Sequence, residues 1–159
     1  MVASPLSSDE TIAGRHRVVV IGGGSAGISV AARLRRAGVR DVTLVEPSDS
    51  HWYQPLWTLV GGGQATLRST RRAEAAVIPD GVRWIRRHAL AVDPDARTVT
   101  LSGGAELAYE YLVMAPGLQL DWDAWRRGWA PDGSVRVAVR FGRVPASVVA
   151  CLKIGRAHV

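Results

Sequence analysis

A β-branched run that ends in a glycine-rich turn constrains this chain more than any other feature. His16-Arg-Val-Val-Val-Ile21 stops at Gly22-Gly-Gly-Ser-Ala-Gly27. Ile28, Ala31, Ala32 and Leu34 then recur at helical spacing until Gly38. A β-branched run without polar alternation suits a strand buried on both faces of a parallel sheet. A glycine just past the last periodic residue suits a helix end. Asp41-Val-Thr-Leu-Val45 reads as a second strand, closed by Glu46-Pro47. Strand, glycine-rich turn, helix, strand and acid make one βαβ unit of about 30 residues, so the fold class is α/β.

Within the turn, Gly22-x-Gly24-x-x-Gly27 carries the chemistry. The first glycine allows the tight turn, the second lets the backbone approach a pyrophosphate, and the third lets helix and strand pack closely. The helix opening at Ser25-Ala26 aims free N–H groups and the positive end of its dipole at the phosphates. Alone, this pattern is weak, because many glycine-rich turns bind nothing. Here it has its strand before it, its helix after it and a carboxylate at the end of the next strand. Glu46 would accept hydrogen bonds from both hydroxyls of an adenosine ribose, each contributing about 1.5–3 kcal/mol; the bland alternative is a solvated acid in a turn. The same carboxylate would repel the 2′-phosphate of NADP, which leaves NAD and FAD.

The other composition signals mainly exclude. The formal charge of +6 could suggest nucleic acid, but residues 1–123 hold 13 Arg against 13 Asp and Glu. All the excess lies in residues 124–159, so a basic nucleic-acid-binding face spread over the fold is excluded. No apolar run approaches the ~20 residues that cross a bilayer. The N-terminus lacks the basic-then-apolar order of a signal peptide, so a cytosolic start is expected. Cys151 is the single cysteine; it forms no internal disulfide and by default is a small buried or free thiol. His16, His51, His88 and His158 are scattered without metal-ligand spacing, so no metal site is expected.

Beyond the βαβ unit, residues 51–63 read as a short helix or loop wall followed by a turn. Residues 64–81 read as a helical excursion ending at Pro79-Asp80-Gly81. Val82–Ile85, Ala89–Val92, Arg97–Leu101 and Tyr109–Met114 read as strands, with Asp93-Pro94-Asp95 as a turn. Trp52 and Trp57 fit core-forming aromatics. Gln54-Pro55 fits a core less well, because an amide beside a proline in an apolar wall usually has a partner.

HRVVVIGGGSAGISVAARLRRAG, VEPSDSHWYQPLWTLVGGG, VIPDGVRWI and YLVMAPGLQLDWD together resemble the N-terminal part of the sulfide:quinone oxidoreductases, in the branch that includes the mitochondrial enzymes. The resemblance covers about residues 16–123. It implies a Rossmann-like FAD/NAD(P)-binding three-layer ββα fold, here truncated, with FAD as cofactor. It also implies kinship with flavocytochrome c sulfide dehydrogenases and type II NADH dehydrogenases. By the resemblance, Gly24 and Ser25 meet the pyrophosphate, Glu46 the ribose, with Gly22, Ala26, Gly27 and Pro47 completing that site. Gln54 would lie near the flavin and Ala89 would contact the adenine through its backbone. Ala115-Pro116-Gly117 matches a second flavin-proximal turn, with Pro116 departing from the usual middle residue.

In the family, a pair of cysteines accepts sulfide sulfur and passes two electrons to FAD, which reduces a membrane quinone. Neither cysteine has a match here, and Cys151, in ACLK, does not fit. No residue of this chain is therefore assigned a catalytic role. The resemblance implies sulfide and membrane quinone as partners of the full-length enzyme, and a place at the inner face of the cell membrane through a C-terminal part that is not encoded. A homo-oligomer is left open. A segment returning from near the C-terminus would close the FAD site, so apolar faces around Trp52, Trp57 and Val113 are expected to stand partly open.

The expected organisation is a disordered N-terminus over 1–15, an FAD-binding domain over 16–123, and a basic tail over 124–159 without clear core periodicity. Ile154-Gly-Arg-Ala-His-Val159 can be encoded by ATC GGA AGA GCA CAC GTC, one frame of a widely used sequencing adapter, so the tail is expected to be frameshifted or adapter-derived. Two other readings stay open: a relative such as a type II NADH dehydrogenase, and a non-catalytic nucleotide-binding module.

Overall fold

The computed structural model describes residues 12–117 and the backbone of Val148–Ala150. The βαβ unit forms as the sequence implies. Strand β1 (Gly14–Ile21) runs into the glycine turn, helix α1 spans Ser25–Arg36, and β2 (Val42–Val45) lies parallel to β1 with Val18 opposite Val42. Arg33, Arg35 and Arg36 place positive charge on the last turn of α1, at the negative end of its dipole. Arg35 also anchors that end, donating to the carbonyls of Val39, Arg40 and Asp80 at 2.8–3.1 Å.

After β2 come the short strand β3 (Ser50–Trp52), a 3-10 turn over Gln54–Leu56, α2 (Trp57–Gly61) and a second 3-10 turn over Leu67–Thr70. Strand β4 (Arg71–Ala73) returns antiparallel to β3 and leads into α3 (Glu74–Val77). The expected helical excursion over 64–81 is thus mostly a 3-10 turn and a strand, with one short helix. Strands β5 (Arg83–Ile85), β6 (Ala89–Asp93), β7 (Thr98–Leu101) and β8 (Glu106–Met114) follow. Asp93 sets the β6–β7 turn, its Oδ1 accepting from the N–H groups of Asp95 and Ala96 at 2.9 and 2.8 Å.

Among the described residues the main sheet has seven strands. Strands β5, β2, β1 and β8 pair in that order, all parallel, and β8 continues antiparallel into β7 and β6. The seventh strand, β9 (Val148–Ala150), lies parallel to the last residues of β8, past the point where β7 leaves it. It falls in the segment expected to lack core periodicity, because three residues are too few for a period to register.

The alternation of β1 builds two cores, since successive strand side chains point to opposite faces. Val18 and Val20 join Ala31, Val42, Leu44, Trp84 and Val113 on the α1 side. Val19 and Ile21 join Val45, Ile85, Val99, Leu101 and Leu112 on the meander side. Helix, parallel sheet and meander are therefore the three layers expected, and a one-residue slip of β1 would exchange the contents of both cores. Ile12 is fully buried in the meander-side core and β1 starts at Gly14, so the fold begins before residue 16, where it was expected to start. Val113 is also buried, contrary to the expectation that its surroundings stand open. The boundary at residue 123, Cys151 and Ile154–Val159 lie outside the described residues. Among the described residues no helix is long and apolar enough to cross a membrane.

Candidate functional site

Strands β5, β2, β1 and β8 deliver their C-terminal ends to one edge of the sheet, and most of the singled-out residues sit there. Ligands of open α/β sheets bind outside those ends. Ile21 runs into Gly22, Val45 into Glu46, Ile85 toward Ala89, and Met114 into Ala115. Gly22 donates to the Val45 carbonyl at 2.9 Å, and Ala115 donates to the Ile21 carbonyl at 2.8 Å. The turn is thereby pinned from both neighbouring strands.

Each glycine of the turn has its own reason. Gly22 has φ +100°, and a methyl there would overlap the Ala115 carbonyl oxygen and reach its carbon at 2.7 Å. A methyl on Gly27 would overlap the Gly22 carbonyl oxygen, so the helix rests directly on the strand end. Gly24 is the opposite case, because a methyl there would meet nothing within 4 Å. Gly24, Ser25 and Ala26 are exposed, Gly24 caps α1 without a side-chain hydrogen bond, and the first turn carries no acid. The first N–H groups of a helix have no partner within it. Here they face open space bounded by glycine, a cradle that fits a pyrophosphate.

Glu46 is half-buried at the mouth of the cradle. Its Oε2 accepts from the Gly23 N–H at 2.7 Å and its Oε1 from the Ser48 N–H at 2.8 Å. A carboxylate offers about four lone-pair sites, so two ribose hydroxyls can still be accepted. The Trp84 indole donates to the Glu46 carbonyl at 2.9 Å, and Arg86 donates to the Pro47 carbonyl at 3.3 Å. Ala89 opens β6, and Gly117 takes φ +75° just past Ala115. Gln54 is exposed in the 3-10 turn, on the excursion after β2 rather than on the sheet edge. Trp52 and Trp57 are 38% and 44% exposed, so they are not core residues; the guanidinium of Arg71 covers the Trp52 ring at 5.8 Å.

Sequence reasoning missed the groups beneath the turn. His51 is buried, with Nδ1 3.1 Å from the Gly23 carbonyl oxygen and 3.5 Å from Glu74 Oε2. Glu74 is 1% exposed, and its Oε1 has no partner. Burial first, and then the neighbouring Glu46 charge, push the Glu74 carboxyl up to about 7. The available signal was an acid standing alone in Ala73-Glu74-Ala75-Ala76-Val77.

The folded chain thus keeps a proton on Glu74 that the unfolded chain releases above its ordinary value of 4.5. Stability is fully present in acid, falls as pH rises from about 4.5, and levels off above about 7. At ~1.4 kcal/mol per unit the loss is on the order of 3 kcal/mol. Urea unfolding between pH 5 and 8 measures it, and Glu74→Gln should remove most of the slope.

Residues 16–121 match the family model described as pyridine nucleotide-disulphide oxidoreductase. The chain is 43% identical over 114 residues to the mitochondrial sulfide:quinone oxidoreductase of Mus musculus, covering 71% of this chain and 25% of that one. It is 34% identical over 121 residues to a type II NADH:quinone oxidoreductase of Mycobacterium tuberculosis, covering 72% of this chain and 26% of that one. Among solved structures, the sulfide:quinone oxidoreductase of the hyperthermophilic bacterium Aquifex aeolicus superposes with a TM-score of 0.60 at 33% identity, over 66% of this chain and 25% of that chain. The chain spans about a quarter of the length of the curated relatives it matches.

Proposed function

Since the chain belongs to the pyridine nucleotide-disulphide oxidoreductase family, we propose that it is the N-terminal FAD-binding part of a sulfide:quinone oxidoreductase. It is an oxidoreductase domain, and FAD is its cofactor. The finer assignment is supported by the 43% identity with the mouse enzyme, above the 34% with the type II NADH:quinone oxidoreductase. In the proposed arrangement Gly24, Ser25 and Ala26 face the pyrophosphate, Glu46 takes the ribose hydroxyls, and Ala89 borders the adenine. Ala115, Gly117 and Gln54 are assigned to the isoalloxazine side. When bound, FAD supplies a two-electron carrier between sulfide and quinone. The chain's own residues contribute the binding: free helix N–H groups for the phosphates, a carboxylate for the ribose, and backbone turns that leave the flavin room.

The observation that carries the reading is the open cradle over Gly24, flanked by a carboxylate already held by the Gly23 amide at 2.7 Å. The test begins with resequencing the locus and expressing whatever frame continues from residue 123. The product should purify yellow, with near-stoichiometric flavin, and reduce a soluble quinone with sulfide. A yellow protein that oxidises NADH and ignores sulfide would overturn the sulfide assignment in favour of the NADH dehydrogenase reading. The 159-residue chain by itself should show no sulfide:quinone turnover above a no-protein blank, because it carries one cysteine where the reaction needs two. Turnover that disappears in Cys151→Ser would contradict that.

A further inference from the structure

The acids Glu46 and Glu74 converge on one backbone position from opposite ends of the excursion. A methyl on Gly23 would overlap Glu74 Oε1 and lie 2.6 Å from Glu46 Cγ. Gly23 is also where the cradle is held: its N–H donates to Glu46 Oε2 at 2.7 Å, and its carbonyl lies 3.1 Å from His51 Nδ1. Glu74 is fixed from behind, its backbone N–H donating to the Asp49 carbonyl at 2.8 Å. The titratable groups facing it are Glu46 from the end of β2 and His51 from β3. His51 Nδ1 sits nearer the Gly23 carbonyl than the Glu74 carboxyl, so it serves the turn first.

We propose that Glu74 is a positioning residue for the dinucleotide, holding a proton under Gly23 so that the turn amides and Glu46 keep their binding geometry, and that flavin retention follows that proton. The proposal rests on the FAD reading above and adds to it a pH-dependent hold on the adenosine half of the cofactor.

The electrostatics give the sign. The pyrophosphate brings negative charge to the front of the turn, and Glu46 brings more to its side. An ionised Glu74 would add a third negative group behind it, buried and without a hydrogen-bond partner on Oε1. Ionised Glu74 therefore repels what the cradle must hold, and neutral Glu74 does not. Burial already pushes this carboxyl up to about 7 without cofactor, so the change falls in the physiological range. Coupling between two sites is reciprocal. If the proton strengthens flavin binding, flavin binding must draw in a proton.

The experiment titrates the full chain with FAD at pH 6 and pH 8, following quenching of flavin fluorescence. It is repeated by calorimetry at pH 7.5 in two buffers of different ionisation enthalpy. With the carboxyl near 7 in the free chain and one unit higher when FAD is bound, the wild type should bind about fivefold more weakly at pH 8 than at pH 6. It should also take up a fraction of a proton per FAD at pH 7.5. Glu74→Gln, a neutral isostere, should bind about equally at both pH values and take up no proton. A side chain that merely fills space would leave both measurements as they are in the wild type. Equal affinity at both pH values in the wild type, or an unchanged pH step and proton uptake in Glu74→Gln, overturns the proposal while leaving the FAD reading intact. A Glu74→Gln chain that cannot fold also overturns it, since the neutral form is the one assigned to the native state. A wild type that binds no FAD at either pH overturns the proposal, whereas the FAD reading stands or falls on the colour of the product of the continued frame.

Discussion

Replacing Gly27 by alanine is expected to destabilise the chain by about 3 kcal/mol or more, and to abolish flavin binding as a consequence. The added methyl would overlap the Gly22 carbonyl oxygen, stand 3.0 Å from the Gly22 carbonyl carbon and approach Val20 Cγ1 to 3.3 Å. The main obstruction is backbone, which cannot rotate away as a side chain can. Nor can the turn shift cheaply. Gly22 is tied to Val45, and the strand end at Ile21 is tied to Ala115. The remaining relief is to lift α1 off the sheet, which pulls Ala31, fully buried, out of contact with Val18, Val20 and Leu44. Overpacking a well-filled site costs about 1–3 kcal/mol, and more where the neighbours are fixed. Against a typical total of ~5–15 kcal/mol, that is a large fraction of the stability. Urea unfolding followed by tryptophan fluorescence measures it. Gly61→Ala is the control, because a methyl there meets nothing within 4 Å. A Gly27→Ala midpoint equal to that of the control would mean that helix and strand are not in direct backbone contact.

That contact was legible in the sequence because every part of the βαβ unit is specified locally. Four apolar residues in succession at the end of β1 leave no exposed face, and the three glycines and Glu46 follow at fixed offsets. The β6–β7 hairpin was legible for a similar reason, since Asp93 satisfies two turn amides with its own side chain. Within residues 51–73, the short helix over Trp57–Gly61 and the turn after it were legible, but the flanking strands and 3-10 turns were not. Those segments are only a few residues long, too short for either period to register. What fixes them is distant, such as Tyr53 donating to the Thr70 carbonyl and His51 reaching the Gly23 carbonyl. Hydrophobicity pointed the wrong way for Trp52 and Trp57, which are exposed rather than in the core, Trp52 beneath the guanidinium of Arg71. The burial of Glu74 was not read from the sequence at all. Its burial depends on a turn fifty residues earlier that has no side chain to fill the space.

Gly24→Val should separate binding from folding, which Gly27→Ala cannot do. Both glycines belong to the same motif, yet their surroundings are opposite. Gly24 has φ −66° and ψ −179°, extended backbone open to any residue, and a Cβ there would touch nothing within 4 Å. The fold should lose only the small preference for glycine over valine at a helix N-cap, about 1 kcal/mol. The space the valine would fill is the space in front of the unpaired amides of α1. A dinucleotide must enter that space for its pyrophosphate to reach those N–H groups. Branched methyl groups would hold the phosphates beyond hydrogen-bond range and cover the amides without satisfying them. With charged hydrogen bonds at ~1.5–3 kcal/mol each, losing two of them weakens binding on the order of a hundredfold or more. The measurement pairs urea unfolding with FAD fluorescence quenching on the same preparation. An unfolding midpoint close to wild type together with no detectable quenching is the expected pair. Wild-type flavin affinity in this variant would mean that the pyrophosphate does not pass over Gly24, and the phosphate contacts assigned to Ser25 and Ala26 would fall with it.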